Sequence, residues 1–377
     1  MHTMTWLAPG GGVDKNVFYT ISNLRNEYEF HLAVGEDIFH NEFQKIDDLK
    51  IFICPYLKRH LNLWEDIKSV FFFYKLIKKN KYDIVHTHET KASLISRVAA
   101  WLAGCPTIIY GLHGVTFNDP HSKIRRLIYI IIEKLTIRMN DYIVSVSQDV
   151  INVYHKNNIG KKIPYSVAYS GIDTELFIGE LPETEKKMLL KKRLGINKDE
   201  KVLINIGRFS YSKGQRFTIE AFHRLLCLDK NLKLLLVGEG EEMENCKRMV
   251  GDLGLDEKVI FYGFSNNVHE LCSLADILIL TSLREGLPRV VVEASLCKVP
   301  TVAFEVEGIK EAIPANFHEF IVKQNDIESL VGKIHDLLNS EKIYTQYACE
   351  AYQNALSNWD FRTMTNTLRH IYNKKSQ

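Results

Sequence analysis

Two glutamates mark the start of a predicted helix: Glu285 lies in the turn before it and Glu293 lies inside it. Before the turn, the short apolar run 277–280 is typical of a strand that is buried on both faces. Pro288 suits the first position of a helix, where its missing N–H would have no partner. Free N–H groups at such a helix start favour phosphate, and the carboxylates suit the hydroxyls of a ribose (Glu293) and a sugar (Glu285). The pattern indicates a nucleotide-sugar site, although an ordinary strand–helix unit with a surface glutamate would show the same pair.

Two cations form a second candidate site. Arg208 and Lys213 lie on a predicted loop between a strand at 201–205 and a helix at 217–228. Cationic side chains beside a helix start can stabilise a diphosphate that leaves with negative charge. The alternative is a solvated basic loop with no ligand.

The N-terminal half carries glycines and histidines at predicted strand ends. Glycines at 10–12 follow a predicted strand at 4–8 and precede a helix from about residue 16, so the backbone can approach a ligand closely there. The dinucleotide fingerprint G-x-G-x-x-G is absent, which argues against a dehydrogenase. His86 and His88 end one predicted strand and His113 ends the next, at the edge where open α/β sheets bind ligands.

The elements that would position these residues alternate between strand and helix. Apolar runs at 31–34, 51–54, 83–86, 107–112, 142–145 and 166–168 read as strands, and further strands are predicted at 233–237, 259–264 and 300–304. Helical stretches separate them, and this order predicts a parallel α/β architecture.

Composition restricts the class of protein. A length of 377 residues fits about two domains, and 46% hydrophobic with 25% charged residues is typical of a globular protein. A net charge of +2 argues against a nucleic-acid partner. Seven scattered cysteines without a C-x-x-C pair favour a reducing compartment, and neither a signal peptide nor a membrane-spanning run is recognised. We therefore expect a cytoplasmic protein.

The motifs together resemble one family. EGLPRVVVEA, which contains Glu285 and Glu293, resembles the Glu-x7-Glu motif of retaining glycosyltransferases of the GT-B fold, specifically glycosyltransferase family 4. The GR-x4-K spacing of Arg208 and Lys213, the segments DIVHTHETKASLISRVAAWLAG and PTIIYGLHGVTF, and YSGIDTELF are similar to the same family in the same order.

The resemblance implies two Rossmann-like domains that face each other across a cleft. Residues 1–178, completed by 358–377, would bind the acceptor, and residues 179–357 would bind a nucleoside-diphosphate sugar. The C-terminal helix would cross back to the first domain.

The resemblance also implies roles for individual residues. Catalytic roles fall on His113, Arg208, Lys213 and Glu285, with His113 facing the reacting sugar. The residues that would contact the donor are Gly11, Gly12, Arg208, Lys213, Gly263, Phe264, Glu285, Gly286, Leu287 and Glu293. A metal held by His86, His88 and His113 is conceivable from ligand type, but this fold class does not use a catalytic metal, so none is expected. One departure is the segment 318–321, where members often carry Asn-Gly, and it receives no assignment.

Two helices could meet a membrane. In the helix that contains residues 123–139, an apolar stripe at 124, 128, 131 and 135 is predicted to face the core, and basic residues mix with Ile130 and Ile137 on the other face. A similar stripe is predicted at 63, 67, 70, 74 and 77. Exposed isoleucines among basic residues fit an interfacial helix on anionic lipid, and core packing with a solvated basic face is the alternative.

The predicted activity is retaining transfer of a sugar from a UDP- or GDP-linked donor to a glycolipid, lipid-linked or polysaccharide hydroxyl in cell-surface glycan synthesis. No cofactor is expected beyond this co-substrate, and peripheral contact with the inner face of the membrane is expected. Two alternatives stay open: a nucleotide-sugar 2-epimerase of the same fold, and a donor-binding subunit without turnover.

Overall fold

The computed structural model describes residues 1–7, 11–35, 42–115, 117, 123–179 and 184–376. The chain forms two compact units. The N-terminal unit comprises Met1–Gly171 together with Phe361–Gln377, and the C-terminal unit comprises Ile172–Asp360.

The N-terminal unit is built on a seven-stranded parallel sheet in the order β3-β2-β1-β4-β5-β6-β7. Its strands are β1 His2–Met4, β2 His31–Val34, β3 Lys50–Ile53, β4 Ile84–His88, β5 Thr107–Leu112, β6 Tyr142–Ser145 and β7 Tyr165–Val167. Its helices are α1 Gly12–Leu24, α2 Leu63–Asn80, α3 Thr90–Ala103, α4 Lys123–Thr136 and α5 Gln148–Lys156, and the C-terminal α15 Phe361–Ser376 completes it. The chain order reverses between β1 and β4, and such a switch point is where open α/β sheets bind ligands.

The C-terminal unit has a six-stranded parallel sheet in the order β10-β9-β8-β11-β12-β13, and its chain order reverses between β8 and β11. Its strands are β8 Lys201–Ile206, β9 Leu232–Val237, β10 Val259–Gly263, β11 Ile277–Leu280, β12 Thr301–Phe304 and β13 Ile321–Val322. Its helices are α6 Thr174–Gly179, α7 Thr184–Arg193, α8 Gln215–Leu225, α9 Met243–Asp252, α10 Val268–Leu274, α11 Arg289–Leu296, α12 Ile309–Ala312, α13 Ile327–Asn339 and α14 Glu341–Asn358.

Hydrophobic side chains cover both faces of the N-terminal sheet. One cluster joins β1 and β2 to α1 and α15, and includes Val17, Leu32 and Leu368. A second cluster joins the other face to α2 and α3, and includes Phe73 and Ala99. Two covered faces explain why the parallel strands read as continuous apolar runs in the sequence.

The C-terminal helix belongs to the N-terminal unit, which confirms the predicted crossing. Its first residue, Phe361, stacks on Tyr19 of α1 with ring centroids 4.7 Å apart. Further along, Tyr372 is buried and contacts His86 of β4 at 2.8 Å. The units divide after Gly171 and after Asp360, whereas the sequence suggested divisions after residues 178 and 357; Ile172 already pairs with the C-terminal unit, because its N–H donates to the Trp359 carbonyl at 2.8 Å.

The parallel α/β prediction is confirmed, with two local corrections. β1 spans His2–Met4 instead of 4–8, because it pairs in register with β2, which ends at Val34. α1 begins at Gly12, four residues before the predicted start. Part of the glycine-rich loop, residues 8–10, lies outside the described residues.

Candidate functional site

The loops that follow β8 and β11 are fastened to each other at the switch point of the C-terminal unit. Leu283 donates its backbone N–H to the Ser212 carbonyl at 2.7 Å, and the Thr281 hydroxyl donates to the Gly214 carbonyl at 2.9 Å. Gly214 has φ +65°, and a Cβ there would lie 2.3 Å from the Thr281 carbonyl oxygen. Only glycine fits this approach, so the two loops form one rigid frame.

This frame brings Lys213 and Glu285 together, as their predicted shared site requires. Lys213 Nζ lies 2.6 Å from Glu285 Oε1, and the side chains are 31% and 10% exposed. An ammonium group has three donors, so Lys213 can keep Glu285 and still donate to another anion. The pair therefore offers a cation and a carboxylate side by side at the carboxyl edge of the sheet.

Arg208 lies on the same loop as Lys213 and is more exposed. Its guanidinium donates to Glu241 at 2.9 Å, and both side chains are about half exposed. Gln215 donates from its side chain to the Arg208 carbonyl at 3.1 Å, which holds the backbone while the guanidinium stays near the surface. An exposed pair of this kind contributes little free energy, about 0–1 kcal/mol, so an incoming anion can take over the guanidinium.

The ends of β9 and β10 extend this edge. A Cβ on Gly238 would lie 2.1 Å from the Gly207 carbonyl oxygen, and both Gly238 and Gly240 have positive φ. Gly263, predicted to border a base, has φ +83° and accepts a hydrogen bond from the Gly238 N–H at 2.8 Å. Phe264 follows it with its side chain partly exposed. Sequence reasoning assigned no role to Gly238 and Gly240, although GEGE directly after a strand was the signal.

The helix after Glu285 starts one residue later than expected. Pro288 is the N-cap of α11 and not its first residue, because its ψ of 84° lies outside the helical region. Glu293 lies in the second turn, mostly buried, with Arg289 at 3.8 Å. The backbone of Gly286 packs closely against Gly308, because a Cβ on Gly308 would lie 2.6 Å from the Gly286 carbonyl oxygen.

The departure at 318–321 has a structural role. His318 Nε2 lies 3.0 Å from the carbonyl oxygens of Lys310 and Ile313. Since both acceptors belong to one short segment around α12, the histidine ties the loop after β12 to the segment before β13.

In the N-terminal unit, His113 ends a chain of contacting rings. His113 Nε2 lies 2.8 Å from His88 Nδ1, and His88 Nε2 lies 2.8 Å from His2 Nδ1. Tyr372 Oη contacts His2 Nε2 at 3.4 Å and His86 Nδ1 at 2.8 Å. Sequence reasoning identified three of these histidines but missed His2 and Tyr372, which come from the two ends of the chain.

Burial keeps these rings neutral at pH 7. Desolvation lowers the pKa of His113 to about 4. The pKa values of His2, His86 and His88 fall well below the usual range, first through desolvation and then through neighbouring histidines. His113 can therefore act as a hydrogen-bond partner but not as a resident cation.

The histidines that could hold a metal differ from those considered in the sequence analysis. Among the described residues, the ring nitrogens that lie within 4.8 Å of one another belong to His2, His86 and His88, and His113 is not in that group. The 2.8 Å separation of His2 Nδ1 and His88 Nε2 is that of a hydrogen bond between the rings. The absence of a catalytic metal stays a prediction.

Three further residues lie at the switch point between β1 and β4 of the N-terminal unit. Gly11 is the N-cap of α1 and Gly12 its first residue. Glu89, which the sequence analysis missed, follows β4 with φ +58° and accepts the Thr5 N–H at 2.7 Å. Burial raises the pKa of Glu89. A strained, half-buried carboxylate at this point is typical of functional sites.

The faces of α4 are inverted relative to the prediction. The stripe expected in the core is exposed, with Ile124 73% and Leu135 65% accessible, and Ile137 just after the helix is buried. The cause is Glu133, which is 2% exposed and contacts the buried Arg97 at 3.0 Å. This ion pair turns the opposite side of α4 inward. The first turns of α2 are also exposed, at Leu63, Trp64 and Ile67.

Comparisons with known proteins match the two halves of the chain to two glycosyltransferase models. Residues 10–176 match the model described as Glycosyltransferase Family 4, and residues 186–354 match the model described as Glycosyl transferases group 1. No helix among the described residues has both the length and the apolar character needed to span a bilayer.

Two curated relatives and one solved structure illustrate the similarity. The chain is 29% identical to the Escherichia coli UDP-Gal:alpha-D-GlcNAc-diphosphoundecaprenol alpha-1,3-galactosyltransferase, covering 76% of this chain and 74% of the relative. It is 28% identical to the Campylobacter jejuni N,N'-diacetylbacillosaminyl-diphospho-undecaprenol alpha-1,3-N-acetylgalactosaminyltransferase, covering 83% of each. The fold matches Anabaena HepE in complex with UDP-glucose at a TM-score of 0.81, with 20% identity over 99% of this chain and 100% of that one.

Proposed function

Because the chain is a glycosyltransferase with the GT-B fold, we propose that it moves a hexosyl group from a UDP-linked sugar to a hydroxyl of a lipid-linked acceptor, with retention at the anomeric carbon. The observation that supports the proposal is the Lys213–Glu285 contact of 2.6 Å, because in this proposal the cation binds the diphosphate and the carboxylate binds the sugar. The Escherichia coli relative is named for a UDP-Gal donor, and both relatives are named for acceptors linked to diphosphoundecaprenol, which supports the choice of donor and acceptor class.

In this proposal the C-terminal unit binds the donor. Lys213 and Arg208 bind the diphosphate, and the free N–H groups at the start of α11 add to its stabilisation. Glu285 accepts hydrogen bonds from the sugar, and Glu293 accepts them from the ribose. Gly263 and Phe264 border the base, while Gly286 and Leu287 shape the turn. The N-terminal unit binds the acceptor, with His113, Gly11 and Gly12 on the side of the transferred sugar.

The bond between the anomeric carbon and the diphosphate oxygen breaks, and a bond to the acceptor oxygen forms. The proton of the acceptor hydroxyl passes to the departing phosphate oxygen, so no resident base is required. Negative charge develops on the diphosphate as it leaves. Lys213 and Arg208 stabilise this charge, and the loss of one such preorganised group commonly lowers the rate by about 10²–10³.

The test is a turnover assay with UDP- and GDP-linked hexoses and a diphosphoundecaprenol-linked amino sugar, followed by mass spectrometry of the lipid. We expect a glycosylated lipid with a UDP donor, and a loss of about 10²–10³ in kcat/KM for Arg208→Ala and for Lys213→Ala. Arg224→Ala is the matched control, since Arg224 pairs with Glu220 on the surface of the same unit.

Other outcomes have definite meanings. Epimerised UDP-sugar without acceptor would identify the 2-epimerase, and UDP binding without any turnover would identify the donor-binding subunit. A β-linked product from an α-linked donor, seen in the anomeric coupling by NMR, would rule out retention.

We also propose that the exposed apolar face of α4 touches the membrane that holds the acceptor. Ile124, Ile128 and Ile131 are exposed beside Lys123 and Arg126, and such a face binds anionic lipid through apolar burial and charge. Vesicles of phosphatidylglycerol and phosphatidylcholine should sediment the wild type. The variant Ile128→Glu/Ile131→Glu should lose most of this binding and keep its UDP affinity.

The control for membrane binding is Leu228→Glu, because Leu228 is comparably exposed but lies in the C-terminal unit. Equal sedimentation of all three proteins would exclude α4 as the contact.

A further inference from the structure

The ring chain in the N-terminal unit has a direction. Tyr372, His2 and His88 are buried, and the chain ends at the half-buried His113. A neutral imidazole carries one N–H and one bare nitrogen, so each ring must donate on one side and accept on the other. The tautomers along the chain are therefore coupled, and two arrangements of opposite direction exist.

In the first arrangement, the Tyr372 hydroxyl donates to His86 Nδ1. His86 then carries its proton on Nε2, and that nitrogen is buried without a hydrogen-bond partner among the described residues. His2 donates to Tyr372, His88 donates to His2, and His113 donates to His88. His113 would then present a bare Nδ1 to a ligand.

In the second arrangement, His86 donates from Nδ1 to Tyr372, and its unpartnered Nε2 carries no proton. The Tyr372 hydroxyl donates to His2, His2 donates to His88, and His88 donates to His113 Nε2. His113 then carries its proton on Nδ1. A buried N–H without an acceptor is rarer in proteins than an acceptor that is not fully used, so the second arrangement is favoured.

The backbone of β5 keeps these rings in place. A Cβ on Gly111 would lie 2.6 Å from His88 Nδ1 and 3.1 Å from His86 Nε2. The residue between Tyr110 and Leu112 therefore has to be glycine for the rings to occupy their positions. Rings held this closely have little freedom to flip, so the same ring nitrogens stay in contact along the chain.

We propose that Tyr372, acting through His2 and His88, fixes His113 as the tautomer with its proton on Nδ1, so that His113 donates a hydrogen bond to an oxygen of the transferred sugar. Tyr372, His2 and His88 are positioning residues. The hydrogen bond from His113 to the sugar rests on the proposed function, whereas the position of the His113 proton does not. An isolated neutral histidine side chain favours the proton on Nε2, so the relay imposes the opposite form.

The experiment measures the tautomer directly with long-range ¹H–¹⁵N NMR on labelled full-length protein at pH 7, with His113→Gln to assign the signals. We expect a protonated Nδ1 and a bare Nε2 on His113. A protonated Nε2, or one averaged signal for both nitrogens, would overturn the proposal. So would tight binding of one equivalent of Zn²⁺ with shifts in the His2, His86 and His88 signals, because those rings would then form a metal site.

Two variants separate the relay from general packing. Tyr372→Phe removes only the hydroxyl and should leave His113 with both tautomers populated, while His88→Phe should move its proton to Nε2. An unchanged His113 signal in folded Tyr372→Phe would overturn the proposal, even if His88→Phe fails to fold.

Activity gives a second readout. Tyr372→Phe should lower kcat by about tenfold with little change in the KM for the donor, as expected for a hydrogen bond made in the transition state. If no donor is turned over even by the wild type, the proposed function fails while the NMR result stands. If Tyr372→Phe changes the His113 tautomer but leaves kcat unchanged, the proposed hydrogen bond from His113 to the sugar is overturned.

Discussion

At the scale of single residues, the candidate site holds a carboxylate against the cation that would bind the donor. Glu285 is mostly buried and contacts Lys213 at 2.6 Å, while Arg208 contacts Glu241 near the surface. Each cation therefore has an intramolecular partner where a diphosphate would bind. Donor binding must share or replace these partners. The exposed Arg208–Glu241 contact is easier to break than the more buried Lys213–Glu285 contact.

Glu285→Gln separates binding from turnover. The neutral amide no longer competes for Lys213, so UDP affinity should rise by about threefold, within the range of partly exposed ion pairs. Turnover should fall by about 10², because the proposed carboxylate contact with the sugar is lost. Titration calorimetry with UDP and the turnover assay measure the two effects. Glu220→Gln, which removes a surface carboxylate paired with Arg224, should change neither; a parallel loss of UDP affinity and turnover in Glu285→Gln would contradict the assignment.

The buried histidines make stability depend on pH. Their folded pKa values lie below the ordinary value of about 6.5, and that of His113 is lowered to about 4. Between these limits the unfolded chain binds more protons than the folded chain, so stability falls as pH drops from about 6.5 toward 4. Each such histidine contributes a slope of up to about 1.4 kcal/mol per pH unit.

Urea unfolding at pH 7.5 and pH 5.5, followed by circular dichroism, measures this loss. His113→Gln should reduce the difference between the two pH values, since it removes one titrating ring. An unchanged difference would show that His113 is not buried in its neutral form.

At the scale of elements, the two loops of the candidate site are positioned by backbone contact. Gly214 and Gly195 share nearly the same φ, +65° and +66°, but a Cβ on Gly214 would meet the Thr281 carbonyl and one on Gly195 would meet nothing within 4 Å. Alanine substitutions at these two glycines therefore distinguish the free energy lost to a left-handed backbone from the free energy lost when the two loops separate.

Gly214→Ala should destabilise the protein by about 2–4 kcal/mol and weaken UDP binding, because it separates the loop of Lys213 from that of Glu285. Gly195→Ala should cost only about 1 kcal/mol and leave UDP binding unchanged. Thermal unfolding and calorimetry measure both. Equal effects of the two substitutions would show that the loops are not held by this contact.

Much of the element order was predictable from sequence, because buried parallel strands are continuous apolar runs: β5, β6 and β11 match their predicted limits. The facing side of α4 was not predictable, since burial of Glu133 depends on Arg97 in a distant helix. The ring chain was also hidden, because His2 and Tyr372 are 370 residues apart and their meeting is set by the fold. A shared donor site for Lys213 and Glu285 was predicted from the family motifs, but their direct contact at 2.6 Å was not.

At the scale of the whole molecule, the N-terminal unit depends on the last helix. α15 packs on α1 and supplies Tyr372 to the buried histidines, and Asn23 donates to Thr365 at 2.6 Å. The C-terminal unit has its own sheet and ends at Asp360. Loss of the helix should therefore damage one unit and spare the other.

Truncation after Asp360 should leave the C-terminal unit folded and able to bind UDP, while the N-terminal unit loses protection from hydrogen exchange along β1, β4 and α1. Mass spectrometry of exchange measures this by segment, and a truncation that removes only residues 374–377 is the control. Uniform loss of protection in both units would show that they unfold together.

The two points where the chain passes between the units are neighbours: Ile172 hydrogen-bonds Trp359, and Gly171 packs against Phe361. During synthesis the ribosome must therefore release residues 172–360 before the first unit can receive its final helix. The N-terminal unit is therefore completed only after α15 has been made, and until then the side of α1 that α15 covers is exposed apolar surface of the kind that chaperones bind.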